Sequence, residues 1–367
     1  MVVKRRLFAK QKNQKTHTVK THPKNPFKFV SAGLCLLSSF LTYNAAANMW
    51  FDPTGTTLNA VAGTSSWEGN VWTTSATPVA SPGAFADGAF TVFSVTGEAA
   101  TSATVTVSGS HNFAGLFNGG LTGDTTCAAL TISGAGSLNV AAGTQGINIA
   151  SGSTTISCVL GGTGAIQPEG GGQLFLNGIN TYSGGTMLLT GGVLVNFNNA
   201  SSFGSSAITL GSSGGALICE GTAAINVPNP WNVTTATAGE NLVGNVAGIT
   251  WSGNWTLGVN TVTLGSGGNV ANLNILSGVI SGTGGFARTA SQSPAGIIKL
   301  TGANIYSGKT SIQSGTTSVS SINSVSGGGP SSNLGAPTTV ANGTISIGGT
   351  TVGGTLLDTG TGETTDR

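Results

Sequence analysis

"LFLNGINTYSGGTMLLTGGVLV" at residues 174–195 and "IKLTGANIYSGKTSIQSGTTSV" at 298–319 are two copies of one pattern. At a constant offset of 124, Gly178 aligns with Gly302, Asn180 with Asn304, Tyr182 with Tyr306, Ser183 with Ser307, Gly184 with Gly308 and Thr186 with Thr310. The flanks match too: "GGTGAI" at 161 and "SGTGGF" at 281 precede the copies, and "SSFGSSAITLG" at 201 and "SSNLGAPTTV" at 331 follow them. The unit is an apolar strand, a turn and a second strand, with no helix. Such a unit cannot close a core alone, and stacking units on one another buries their inward side chains in one column. This predicts a β-solenoid.

The rest of the chain agrees. Short runs of alternating residues recur, among them "ATVTVSG" at 103, "ALTISG" at 129, "SLNVAAG" at 137, "GINIASG" at 146, "NLNILSG" at 272 and "GTISIGG" at 343. Each places β-branched or Leu residues two apart and closes on Gly, Asn or Ser, the signature of a half-buried strand followed by a turn. The 60 glycines and the 7% of charged residues suit tight corners with one strand face turned inward. Rungs of about 20 to 25 residues at ~4.8 Å spacing would make roughly 13 to 15 turns and a rod on the order of 60 to 70 Å.

The first copy is very similar to the autotransporter-associated β-strand repeat, also called the passenger-associated transport repeat, with its Leu-x-Gly-x-Asn-x-Tyr-x-Gly-x-Thr pattern. The second copy departs from it at Ile305, Lys309 and Thr317. A basic leader, a Trp-rich opening ("MWFDPTGTTLNAVAGTSSWEGNVWTT", 49–74) and a late "LGAPTTVANGTISIGG" extend the likeness. The resemblance implies an all-β fold, a right-handed parallel β-helix passenger of a type V secretion system. Such a passenger is exported from a Gram-negative cell and displayed on or released from its surface, and its repeats assist translocation and folding. It also implies export machinery and an outer-membrane barrel as partners. Strands of barrel type are not evident before the final "TTDR", so a fragment or another anchor is expected.

Nine of the thirteen basic residues lie in the first 28 positions, and no acid precedes Asp52. "FVSAGLCLLSSFL" follows, then Ala45 and Ala47 at small-residue positions before a cleavage site. Residues 1–47 therefore read as a secretory signal, 48–125 as a Trp-rich segment capping the solenoid, and 126–367 as the β-helix, with repeats near 172–203 and 296–327. Cleavage after Ala47 leaves four basic residues against eleven acids, a formal −7. No basic patch remains to neutralise phosphates, so nucleic acid is not an expected partner.

Three cysteines then remain, Cys127, Cys158 and Cys219, with no Cys-x-x-Cys spacing, so neither a disulfide framework nor zinc is indicated. The sole histidine outside the leader, His111, reads as a turn or strand-edge residue. The eleven acids are mostly far apart in sequence, and no catalytic residue, cofactor or metal is assigned. A carbohydrate-active β-helix enzyme would need several of them gathered in one groove. Trp251 and Trp255 in "TWSGNW" are candidate glycan contacts if exposed, and inter-rung packing residues if buried. Asn180, Tyr182, Gly184 and Thr186, with Asn304, Tyr306, Gly308 and Thr310, are assigned to the structure of the repeat turn. "SGKT" at 307–310 imitates a phosphate loop, but five residues separate Gly302 from Gly308 where that loop has four, and "TSIQSG" continues as a strand. The functional reading is an exported structural or adhesive passenger, with a surface glycan or protein as ligand. The alternatives are a glycan-binding module and an enzyme.

Overall fold

The alternating runs become strands whose inward side chains stack in register. In the computed structural model, Ala129–Ser133, Ser153–Ile156, Gln173–Leu176, Leu194–Phe197 and Ala216–Cys219 lie side by side and parallel. Their pairing places Ile132, Ile156, Leu176, Phe197 and Cys219 in one interior column. Leu130, Thr154, Leu174, Val195 and Leu217 form the next. All ten are buried. Each fully buried aliphatic side chain contributes about 1.5–3 kcal/mol, which is how a chain with so little charge holds a core only a few residues wide.

The structure describes residues 48–53, 63–74, 81–95, 102–119, 125–189, 192–211, 215–235, 240–244, 247–266, 273–289, 296–326, 331–349 and 353–367. The chain divides into Met1–Ala45 and Ala46–Arg367. Every described residue belongs to the second unit, so the expected signal and its Ala45 and Ala47 lie outside the described residues.

Among the described residues the fold is a parallel β-solenoid with almost no helix, a single turn at Val340–Gly343. Two sheets of 12 strands run along it. The first extends from Asn48–Phe51 to Ile280–Ser281, the second from Gly63–Ser66 to Ile345–Ile347. A third face carries two shorter sheets, one of three strands from Ser110–Phe113 to Val159–Gly162 and one of six from Ile225–Val227 to Gly354–Asp358. Pairing between strands is parallel except where Trp72–Thr73 runs against Asn48–Phe51 and Thr125–Thr126 against Phe90–Val95, and two isolated bridges, Trp72 with Gly83 and Asn304 with Ser332, are antiparallel.

Twelve strands at ~4.8 Å spacing span about 50 Å, shorter than the sequence suggested. The difference lies in long rungs: Thr310 pairs with Ile345, 35 residues on, because the segment containing Val340–Gly343 is inserted between their strands. The ladders also pass without a break across residue 126, since Ser102–Thr106 pairs with Ala129–Ser133. The segment 48–125 thus supplies the first rungs of the same stack. Its end is closed by an aromatic cluster in which Trp72 lies 4.9 Å from Trp67, 5.4 Å from Phe51 and 5.1 Å from Phe85.

Cys127, Cys158 and Cys219 are all buried. Burial pushes Cys158 up to about 12 and raises Cys127, so both are poor nucleophiles. Arg288, on a strand of the second long sheet, is fully buried. Its guanidinium donates to the carbonyls of Thr289 at 2.8 Å and Gly296 at 3.2 Å.

Candidate functional site

The repeat motif is a clamp across three rungs. Asn180 accepts from the backbone N–H of Leu160 in the preceding rung at 2.9 Å, and its Nδ2 donates to the carbonyl of Ser202 in the following rung at 2.8 Å. Asn304 does the same, accepting from Ile280 at 2.8 Å and donating to Asn333 at 2.7 Å. Tyr182 and Tyr306 lie inside the stack, fully buried, with hydroxyls 2.6 Å from Thr186 Oγ1 and 2.7 Å from Thr310 Oγ1. Burial pushes both phenols up, Tyr306 to about 12, so each hydroxyl stays neutral. The sequence assigns these residues to the repeat turn. In the fold, Asn180 and Asn304 bond between rungs, and both rings are core.

The flanking glycines belong to the same device. A Cβ on Gly184 would come within 2.2 Å of Gly164, and one on Gly308 within 2.4 Å of Gly284. Gly164 and Gly284 are the second glycines of the upstream Gly-Thr-Gly flanks, so the corners of successive rungs touch backbone to backbone. Gly184 and Gly308 are therefore required for close approach; neither has the positive φ expected of a strained corner. That conformation occurs beside Gly184 at Gly185 (φ +96°) and, one rung on from the two copies, at Gly204 (φ +67°) and Gly335 (φ +79°), each of the latter pressed against the tyrosine below. Gly335→Ala would put its Cβ 2.4 Å from the Tyr306 carbonyl in a left-handed conformation. It is expected to cost about 1–3 kcal/mol, read as a lower denaturant midpoint with Gly353→Ala, which meets no atom within 4 Å, as control.

The two clamps stand on different faces. The first turn lies over Leu160 of the three-stranded sheet, the second over Ile280 of the first long sheet. The offset of 124 residues is thus five rungs plus one face: five steps along the second long sheet lead from Gln173–Leu176 to Phe286–Arg288, and the next strand, Ile297–Leu300, is on the third face. Lys309, the residue that imitates a phosphate loop, is exposed at this corner.

Trp251 and Trp255 are both fully buried, so neither offers a ring face to a sugar. Trp255 pairs in register with Trp231, which stacks the indoles at 4.2 Å with 4° between planes. Trp251 meets Trp231 edge-on at 5.2 Å, and its Nε1 donates to Asn274 Oδ1 at 3.0 Å. A signal for this packing was present: Trp231 and Trp255 are 24 residues apart, one rung.

Of the acids, the fold gathers Glu68 and Asp87 around His111. The imidazole lies between them, Nε2 3.0 Å from Glu68 Oε1 and Nδ1 3.0 Å from Asp87 Oδ1. Both ring nitrogens are occupied, leaving neither free to take a proton from a substrate in this arrangement. His111 is a strand residue in Ser110–Phe113, and its partners leave no local mark in the sequence because they lie 43 and 24 residues away. No group of metal-ligating residues is found among the described residues.

Among curated proteins, the chain is similar to an autotransporter adhesin. The adhesin BmaC autotransporter of Brucella suis biovar 1 (strain 1330) is 33% identical over 208 residues, which cover 56% of this chain and 5% of that protein. The match therefore spans a small part of a much longer relative. No family model matches, and no solved structure matches. The adhesin homologue and the parallel β-solenoid fit an exported adhesive passenger.

Proposed function

We propose that this chain is a stretch of a surface-displayed adhesive passenger, and that its two autotransporter-type repeats act as locks that fix rung stacking during and after outer-membrane passage. The supporting observation is the clamp built twice from equivalent residues, Asn180 with Tyr182 and Asn304 with Tyr306, each tying three rungs. A solenoid folds by adding rungs to a nucleus, because each contacts only its neighbours. A side chain bonding both the rung before and the rung after it holds the register at that point. Export machinery and an outer-membrane barrel are the partners this reading requires. The exposed faces, rich in Ser, Thr and Asn, would meet a surface glycan or protein.

Beads coated with the purified chain are expected to adhere to cultured epithelial cells above albumin-coated beads. Equal adhesion would remove the adhesive role. Refolding from denaturant is expected to be slower for the Asn180→Ala/Asn304→Ala double variant, and an unchanged rate would remove the folding role.

A further inference from the structure

The cluster around His111 joins three separate parts of the capped end. Glu68 sits in the turn after Gly63–Ser66, Asp87 in the turn before Phe90–Val95, and His111 on Ser110–Phe113. Glu68 also accepts from Ser66 Oγ at 2.6 Å and from the backbone N–H groups of Ser108 at 2.8 Å and Gly109 at 2.7 Å. A neutral imidazole has one N–H, so it can donate to Glu68 or to Asp87 but not to both. With both carboxylates ionised, the observed geometry needs the imidazolium. On deprotonation one ring lone pair faces a carboxylate oxygen 3.0 Å away, and one of the two links is lost.

We propose that Glu68, His111 and Asp87 form a pH-sensitive clamp that locks the Trp-rich cap to the following rungs in mildly acidic surroundings and loosens it as pH rises. The other neighbours of the ring bring no charge. Trp67 and Phe85 flank it with centroids 6.3 and 6.2 Å away, and the paired strand Ser137–Val140 contributes no titratable side chain. Glu68 and Asp87 are thus the ionisable groups that face His111 among the described residues. Burial works against the imidazolium, but the hydrogen bonds and charges of Glu68 and Asp87 outweigh it and raise His111 above its ordinary 6.5. Burial likewise opposes ionisation of Glu68, but Ser66, the two backbone N–H groups and His111 hold it well below the usual carboxylate range. A raised base contributes fully below its unfolded value and is lost as pH rises through its folded value; a depressed acid contributes above its unfolded value and is lost as pH falls through its folded one. The clamp is therefore strongest between the ordinary values of 4.5 for Glu68 and 6.5 for His111.

The test is hydrogen exchange of the full chain between pH 5 and 9, expressed as protection factors at each pH. In the wild type, protection of residues 63–67 and 108–113 is expected to fall above pH 6.5 by up to about tenfold per pH unit, the limit for one titrating group. In His111→Gln the slope is expected to vanish. A flat wild-type profile, or an equal slope in the variant, would overturn the clamp. Should His111→Gln not fold, the ring of His111 can be titrated by NMR in a chain with His17 and His22 replaced by Gln. A midpoint above 6.5 that drops in Glu68→Gln supports the clamp; a midpoint at or below 6.5, or one insensitive to Glu68, refutes it.

Discussion

Trp255→Ala is expected to be the most damaging single change in the stack, lowering stability by about 3–5 kcal/mol. Trp255 is packed face to face on Trp231 and is followed in the column by Ile280. Its removal leaves a void bounded above and below by neighbouring rungs. Rungs held in register by ladder hydrogen bonds cannot collapse to fill such a void, which places the cost at the upper end for core truncations. The loss should be local, because each rung contacts only its neighbours. Hydrogen exchange is expected to accelerate at 231–233, 255–256 and 280–281 while 129–156 stays protected. Val259→Ser, at an 81% exposed position, serves as the control. A melting transition unchanged in Trp255→Ala would show that the indole stack does not support the solenoid.

Asn180→Ala is expected to cost about 2–4 kcal/mol, because it orphans two buried backbone groups at once, the Leu160 N–H and the Ser202 carbonyl. A substitution that disturbed only its own turn would cost less. The distinguishing readout is spatial: exchange should increase at 160 and at 202–205, on both sides of the substituted residue. Thr181→Ala, next in sequence and exposed, should leave both unchanged. If only the turn at 178–184 loosens, Asn180 does not clamp three rungs.

What the sequence reveals here is periodicity, and what it hides is contact between periods. Alternation in "ALTISG" and "NLNILSG" marks strands directly, because burial on one face imposes a period of two. The Asn-x-Tyr-Ser-Gly-x-Thr copies mark the solenoid because a repeated unit of strands without a helix buries its core only by stacking. The partners of Asn180 lie 20 and 22 residues away and are backbone groups, which carry no signature of residue type. Gly184 looked like a corner residue because glycine serves two physical ends, positive φ and close approach, and composition cannot separate them. Trp255 carries a readable sign of inter-rung packing, its spacing of one rung from Trp231, whereas Trp251 stands in register with Val227 and Leu276 and has no such aromatic partner in its column. The Glu68–His111–Asp87 cluster is of the same kind: separations of 43 and 24 residues are close to two rungs and one.

The five-rungs-plus-one-face offset between the two clamps determines which way their tips point. Ile179 in the first copy and Ile305, two positions further along the motif in the second, are exposed at 69% and 51% and sit on different faces of the solenoid. Any one side of the solenoid therefore presents a single copy. Two copies separated by a length that is not a whole number of turns therefore spread their exposed tips around the circumference instead of lining them up along one edge.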